Sequence, residues 1–185
     1  MEDIMIEIRW HGRGGQGSFT ASRILGAAAS LYGNKYALAF PSFGPERRGA
    51  PITAFTKIDD QKIRDRSEII HCDYIVVLDE TLFAPSLLQD LKPGGKILIN
   101  TAREEKYKAI SPDWIVTFDA VAIAQEILGR PVTNTAMIGA LIGISEVIPV
   151  HAVAESIKNE FSSSLAEKNI RVLNQSYERI KGEWL

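Results

Sequence analysis

The stretch I-E-I-R-W-H-G-R-G-G-Q-G-S, residues 6–18, decides the reading of this chain. Its first half alternates apolar and polar residues, the period of a strand with one face on a core. Its second half places four glycines in the seven positions from His11 to Gly17. The following S-F-T-A-S-R-I-L-G-A-A-A-S-L-Y-G, residues 18–33, carries small and apolar residues at helical spacing and ends on glycine. Strand, glycine turn and helix in that order open a βαβ unit. Gly12, Gly14 and Gly17 satisfy G-x-G-x-x-G in the context that gives this pattern meaning.

Such a turn admits two readings. The glycines permit a tight strand-to-helix reversal, or they clear side chains away so that an anion reaches main-chain amides at the start of a helix, where the dipole supplies about half a positive charge. Arg13 and Gln16 are donors that a purely steric turn does not need, and Ser18 adds a hydroxyl where the helix begins. The anion reading therefore takes in Gly12, Arg13, Gly14, Gly15, Gln16, Gly17 and Ser18. An NAD site of the ordinary kind needs a carboxylate about 20 positions on, at the end of the second strand. That strand ends A-L-A-F-P-S-F-G, and the next acid is Glu46 inside a loop. A Walker loop fails too, because no lysine followed by serine or threonine closes the run.

Outward from the turn, K-Y-A-L-A-F reads as a short second strand ended by Pro41, and residues 41–51 as a functional loop carrying Arg47 and Arg48, which face a ligand or a partner chain. I-T-A-F-T-K-I, residues 52–58, alternates like a hairpin or an edge strand with one wet face. D-Y-I-V-V-L-D, residues 73–79, is a continuous β-branched run suited to a strand covered on both faces. Residues 83–91 suggest a helix, K-P-G-G a stop, and residues 96–100 and 114–120 two further strands. A helix over 120–129 with Gly129 as its cap, a buried helix over 135–148, and amphipathic helices over 150–162 and 165–181 complete the chain. The expected fold is a single α/β domain over residues 1–185: a Rossmann-like, mainly parallel sheet flanked by helices, with an antiparallel edge and C-terminal helices.

Composition limits the function. A net charge of −2 argues against a general nucleic-acid or anionic-membrane surface. One cysteine, Cys72, leaves no disulfide framework and no CxxC pair for zinc or iron–sulfur, so any redox centre belongs to another chain. No run approaches the roughly 20 apolar residues of a membrane helix, and the expected location is cytoplasmic. His11, His71 and His151 lack metal-ligand spacing and read as structural or hydrogen-bonding residues; Cys72, beside a buried strand, reads as an inert thiol. Arg64 and Arg66 read as solvated charge, in ion pairs with Glu46 and Asp65 or near the sheet mouth. Asp79, Glu80 and Asp119 stand at strand ends where ligands bind, or cap the helices that follow. No nucleophile elbow and no paired carboxylates occur, so the residues describe a binder of a phosphate-bearing molecule with no catalytic group of its own.

Four stretches taken together resemble the gamma subunits of 2-oxoacid:ferredoxin oxidoreductases, those acting on pyruvate more than those acting on 2-oxoglutarate: residues 6–25 around the turn, A-F-P-S-F-G-P-E-R-R-G-A-P-I-T-A-F at 39–55, R-S-E-I-I-H-C-D-Y-I-V-V-L-D-E-T-L-F at 66–83 and P-V-T-N-T-A-M-I-G-A-L at 131–141. The resemblance runs from Met5 to about Ile148. It implies a hetero-oligomer that oxidatively decarboxylates pyruvate to acetyl-CoA with ferredoxin as electron acceptor. Alpha and beta chains would bind thiamine diphosphate, Mg and the 2-oxoacid, a delta chain would carry iron–sulfur clusters, and this gamma chain would hold coenzyme A, its residues 12–17 facing the diphosphate. Two other readings stay open on the residues alone: a free-standing nucleotide-binding regulatory module and a self-sufficient NADP oxidoreductase.

Overall fold

The computed structural model describes residues 5–42, 48–111 and 113–184. A six-stranded sheet runs in the order β2-β3-β1-β4-β5-β6. Strand β1 (Ile6–Arg13) lies inside it, parallel to β4 (Cys72–Val77) on one side and antiparallel to β3 (Pro51–Asp59) on the other. The parallel half continues through β5 (Leu91–Asn100) to β6 (Ile115–Phe118), while β2 (Tyr36–Pro41) pairs antiparallel with β3 and forms the opposite edge.

The alternation of β1 sorts its side chains as the sequence implies. Ile8 and Trp10 are fully buried in the core shared with the helices, and Glu7, Arg9, His11 and Arg13 occupy the alternate positions. Over the first face pack α1 (Ser18–Leu31), α3 (Ala120–Leu128), α4 (Asn134–Ser145), α5 (Val150–Glu160) and α6 (Ser163–Trp184). Trp10 Nε1 donates to Thr56 Oγ1 at 3.0 Å, and Ser22 Oγ donates to the Phe55 carbonyl at 2.6 Å, so polar groups lock β1, β3 and α1 together where desolvation would otherwise penalise them. Helix α4 is buried all round, as its unbroken apolar run implies, and Gly139 lets α6 approach: a Cβ there would lie 2.4 Å from the Leu173 carbonyl oxygen.

The second face carries a thinner cover. Phe55, Cys72, Ile75, Val77, Ile97 and Ile99 meet Ile69 from the preceding loop, Leu82 and Phe83, Leu87 and Leu88, and Tyr107 of the short α2 (Glu104–Lys108). Three readings change here. The helix expected over 83–91 is a 3-10 turn, Pro85–Asp90, with no fully buried residue; it caps hydrophobics instead of crossing over as a long helix. K-P-G-G does not end an element but lies inside β5, with Gly94 at φ 82° and a register shift between Cys72 and Tyr74 on the neighbouring strand. β3 is an interior strand, not an edge with a wet face, because both its neighbours pair with it. Its polar residues are buried through partners: Thr56 through Trp10, and Lys57 through carboxylates of Asp65 and, at 3.7 Å, Glu7.

Gly129 caps α3 at φ 69°, as expected. Among the described residues no helix is long and apolar enough to cross a membrane, and no cluster of His, Cys, Asp and Glu could hold a metal ion.

Candidate functional site

From β1 the chain leaves through α1 toward β2, while from β4 it leaves toward β5, so the direction of winding reverses between the carboxyl ends of β1 and β4. In open sheets of this kind that reversal opens a crevice for ligands. A cleft of about 750 Å³ lies there, lined by Gly15 and Gln16 after β1, Leu78, Asp79 and Glu80 after β4, Asn100 and Thr101 after β5, Asp119 after β6, and Thr133 before α4. That volume is of the order of a small-molecule site.

The glycines of the turn do different work. A Cβ on Gly12 would lie 2.0 Å from Ser18 Oγ, and one on Gly17 2.8 Å from Asn134 Nδ2, so both positions let the protein's own groups approach. Gly15 has φ 96° and nothing within 4 Å of a Cβ, so it is the glycine that presents open backbone to the cleft. The Gly14 amide is committed to the Ala50 carbonyl at 2.8 Å and the Gln16 amide to the Arg13 carbonyl at 2.9 Å. The amides of Gly15, Gly17, Ser18, Phe19 and Thr20 have no backbone acceptor among the described residues, and Gly17 caps α1 without a side-chain bond. Ser18 Oγ is buried and has no hydrogen-bond partner among the described residues.

Arg13 and Gln16 are not spare donors. Arg13 Nε donates to Asp79 Oδ2 at 3.0 Å, its Nη2 to Thr81 Oγ1 at 2.9 Å and its Nη1 to the Gly49 carbonyl at 3.2 Å. Gln16 Nε2 donates to the same Asp79 oxygen at 3.1 Å, while its Oε1 accepts from the Arg13 amide at 2.7 Å. Sequence reading placed Asp79 at the sheet's carboxyl edge without seeing that it anchors the turn 66 residues upstream. Burial pushes the Asp79 carboxyl up, but hydrogen bonds from Thr81 and Gln16 and the charge of Arg13 outweigh it and hold the group below the usual carboxylate range. Glu80 is also held low, first by its hydrogen bond from Arg103, against a smaller desolvation, with Thr101 and Tyr107 donating as well. Asp119 accepts the Ala122 amide at 3.0 Å as the cap of α3. The three cleft carboxylates thus have partners in the protein itself.

Arg48 is exposed beside the turn, and Arg47 and Glu46 lie outside the described residues. Arg64 and Arg66 are exposed, and Asp65 turns from them to Lys57. His11 is structural: its Nε2 accepts from Arg9 Nε at 3.0 Å, and burial, reinforced by the Arg9 charge, lowers its pKa to about 4. Cys72 is fully buried, and desolvation pushes its thiol up to about 12. Neither reaches the cleft lining.

One wall was missed from sequence. Pro131, Val132 and Thr133, just before α4, line the same cleft as Gly15 from more than 110 residues downstream. The stretch T-N-T before an apolar run was the available signal, since such residues mark helix starts.

Comparison with known proteins adds the following. Residues 7–179 match the family described as pyruvate ferredoxin/flavodoxin oxidoreductase. The chain is 46% identical over 180 residues to the pyruvate/ketoisovalerate oxidoreductases common subunit gamma of Pyrococcus furiosus, covering 95% of this chain and 97% of that one. It is 44% identical over 177 residues to the pyruvate synthase subunit PorC of Methanocaldococcus jannaschii, covering 94% and 96%. The crystal structure of the pyruvate oxidoreductase subunit PORC of Thermotoga maritima superposes with a TM-score of 0.81 at 36% identity, covering 94% of this chain and 96% of that one.

Proposed function

The chain belongs to the pyruvate ferredoxin/flavodoxin oxidoreductase family, and from that premise we propose that it is the gamma subunit of a cytoplasmic pyruvate:ferredoxin oxidoreductase that holds the phosphates of coenzyme A. The carrying observation is the excess of donors at the cleft: open backbone at Gly15 and amides of Gly15, Gly17, Ser18, Phe19 and Thr20 without a backbone acceptor among the described residues, at the uncapped start of a 14-residue helix. A diphosphate satisfies such a set. Gly12 and Gly17 serve it indirectly by setting how closely β1, α1 and Asn134 approach. Arg13, Gln16 and Asp79 brace the turn and tie it to Gly49, and Gly14 joins the same brace through Ala50. Arg48, exposed beside the turn, is available to the coenzyme or to a neighbouring chain, and the same role is proposed for Arg47, which lies outside the described residues.

Alpha, beta and delta partners complete this enzyme. Thiamine diphosphate with Mg on partner chains supplies the decarboxylation, and iron–sulfur clusters pass the electrons to ferredoxin. This subunit contributes binding: fixing the nucleotide end lets the flexible pantetheine arm deliver its thiol to a distant acyl group, and energy gained far from the reacting atoms lowers the entropic cost of that encounter. The P. furiosus relative is named as common to the pyruvate and ketoisovalerate enzymes. A subunit that reads the coenzyme and not the 2-oxoacid suits such sharing.

The test uses the assembled enzyme. Gly15→Asp puts a carboxylate into open space at the turn, beside the proposed phosphate, and is expected to raise the KM for coenzyme A about tenfold or more, the effect of roughly 1.4 kcal/mol, with little change in the KM for pyruvate. An unchanged coenzyme KM in a folded, assembled variant refutes the assignment.

A further inference from the structure

We propose that the side-chain amide of Asn134, at the uncapped start of α4, is the second wall of the phosphate site and donates to a phosphate oxygen of the bound coenzyme. This rests on the reading of the glycine turn as the coenzyme's phosphate site.

Asn134 is only 5% exposed. Its Oδ1 accepts the Thr135 amide at 2.9 Å, which settles which end of the amide is the oxygen and leaves Nδ2 as the free donor. Nδ2 has no hydrogen-bond acceptor among the described residues and is not sealed from solvent, so a ligand can reach it. It is aimed at the first turn of α1, lying 2.8 Å from where a Cβ on Gly17 would sit. The neighbourhood offers more donors: the amides of Gly17, Ser18, Phe19 and Thr20, without a backbone acceptor among the described residues, and the start of the 12-residue α4, whose cap residue Thr133 makes no side-chain cap bond and lines the same cleft as Gly15 and Gln16. Two helix N-termini, each with about half a unit of positive charge, converge on one place with a free amide between them. An anion with several oxygens answers this arrangement; a single water has too few lone pairs.

The geometry also explains why position 17 is glycine. Any side chain there would displace Asn134 from the turn.

Asn134→Asp keeps the size of the side chain and the acceptor for Thr135, and replaces the free donor with negative charge. In the assembled oxidoreductase it is expected to raise the KM for coenzyme A about thirtyfold, and Asn134→Ala, which adds no charge, about fifteenfold, the lower end of the scale for one lost hydrogen bond to a charged group. The control substrate is pantetheine, which carries the thiol but no phosphate; its KM should move less than about twofold in both variants. Equal increases for coenzyme A and pantetheine overturn the proposal, since Asn134 would then act only on the shape of the fold. If Gly15→Asp raises the coenzyme KM and neither Asn134 variant does, the proposal fails while the reading of the turn stands. If none of the three moves it, both fail.

Discussion

His11 lies on β1 immediately before the glycine turn and provides a quantitative check on the packing beneath it. In the folded chain its pKa is lowered from 6.5 to about 4, by burial first and by the Arg9 charge second, with Asp90 opposing. Between those two values the unfolded chain carries a proton on His11 that the folded chain lacks, so stability rises with pH across this window. The contribution is therefore complete above about pH 6.5 and is lost as the pH falls toward 4. At 1.36 kcal/mol per unit the whole window corresponds to about 3 kcal/mol, and about 2 kcal/mol is lost by pH 5. Removing the titrating ring isolates the effect from the carboxylates that titrate nearby. In His11→Gln the side-chain oxygen can still accept from Arg9 Nε, so the strand keeps its hydrogen bond. Urea unfolding of both proteins from pH 8 down to pH 5 gives the difference curve: flat at high pH, then moving by about 2 kcal/mol in favour of the variant. Parallel stability curves over that range would show that His11 titrates normally, and the account of its burial would be wrong.

Lys57→Met, which fills the same buried space without charge, should leave stability within about 1 kcal/mol or raise it, whereas Asp65→Ala strips the near partner from a buried ammonium and should lower stability; denaturant melts compare the two. If Lys57→Met proves the more damaging, the pair contributes more attraction than its desolvation costs. Cys72, with its thiol pushed up to about 12 in a fully buried position, should resist maleimide at pH 7.5 in the folded chain and react once urea unfolds it. Fast labelling of the native protein would contradict its buried place at the start of β4.

Sequence alone reached as far as its local periodicities extend. β1, the glycine turn and α1 were legible because period two, glycine and a helical period follow one another within 26 residues, from Ile6 to Leu31. The buried α4 and the Gly129 cap were legible for the same reason. The 3-10 turn at Pro85–Asp90 was not, since a short apolar run beside a proline fits either a helix or a covering loop. The interior position of β3 was not, since alternation marks a polar face without saying whether carboxylates arrive to neutralise Lys57. In the candidate site, the glycine turn between strand and helix was legible, but Arg13 and Gln16 were counted as donors to an anion when their acceptor was Asp79, distant in the chain.

The residue pattern by itself thus determined the class of fold, the position of the glycine turn and the single cysteine, because each of these follows from neighbours in the chain or from composition. Which glycine opens to the cleft, which arginine is already engaged, and the arrival of Asn134 at Gly17 were decided only when the sheet brought remote segments together. Contacts between residues 17 and 134 depend on how strands pair and helices pack between them, and no local period records that.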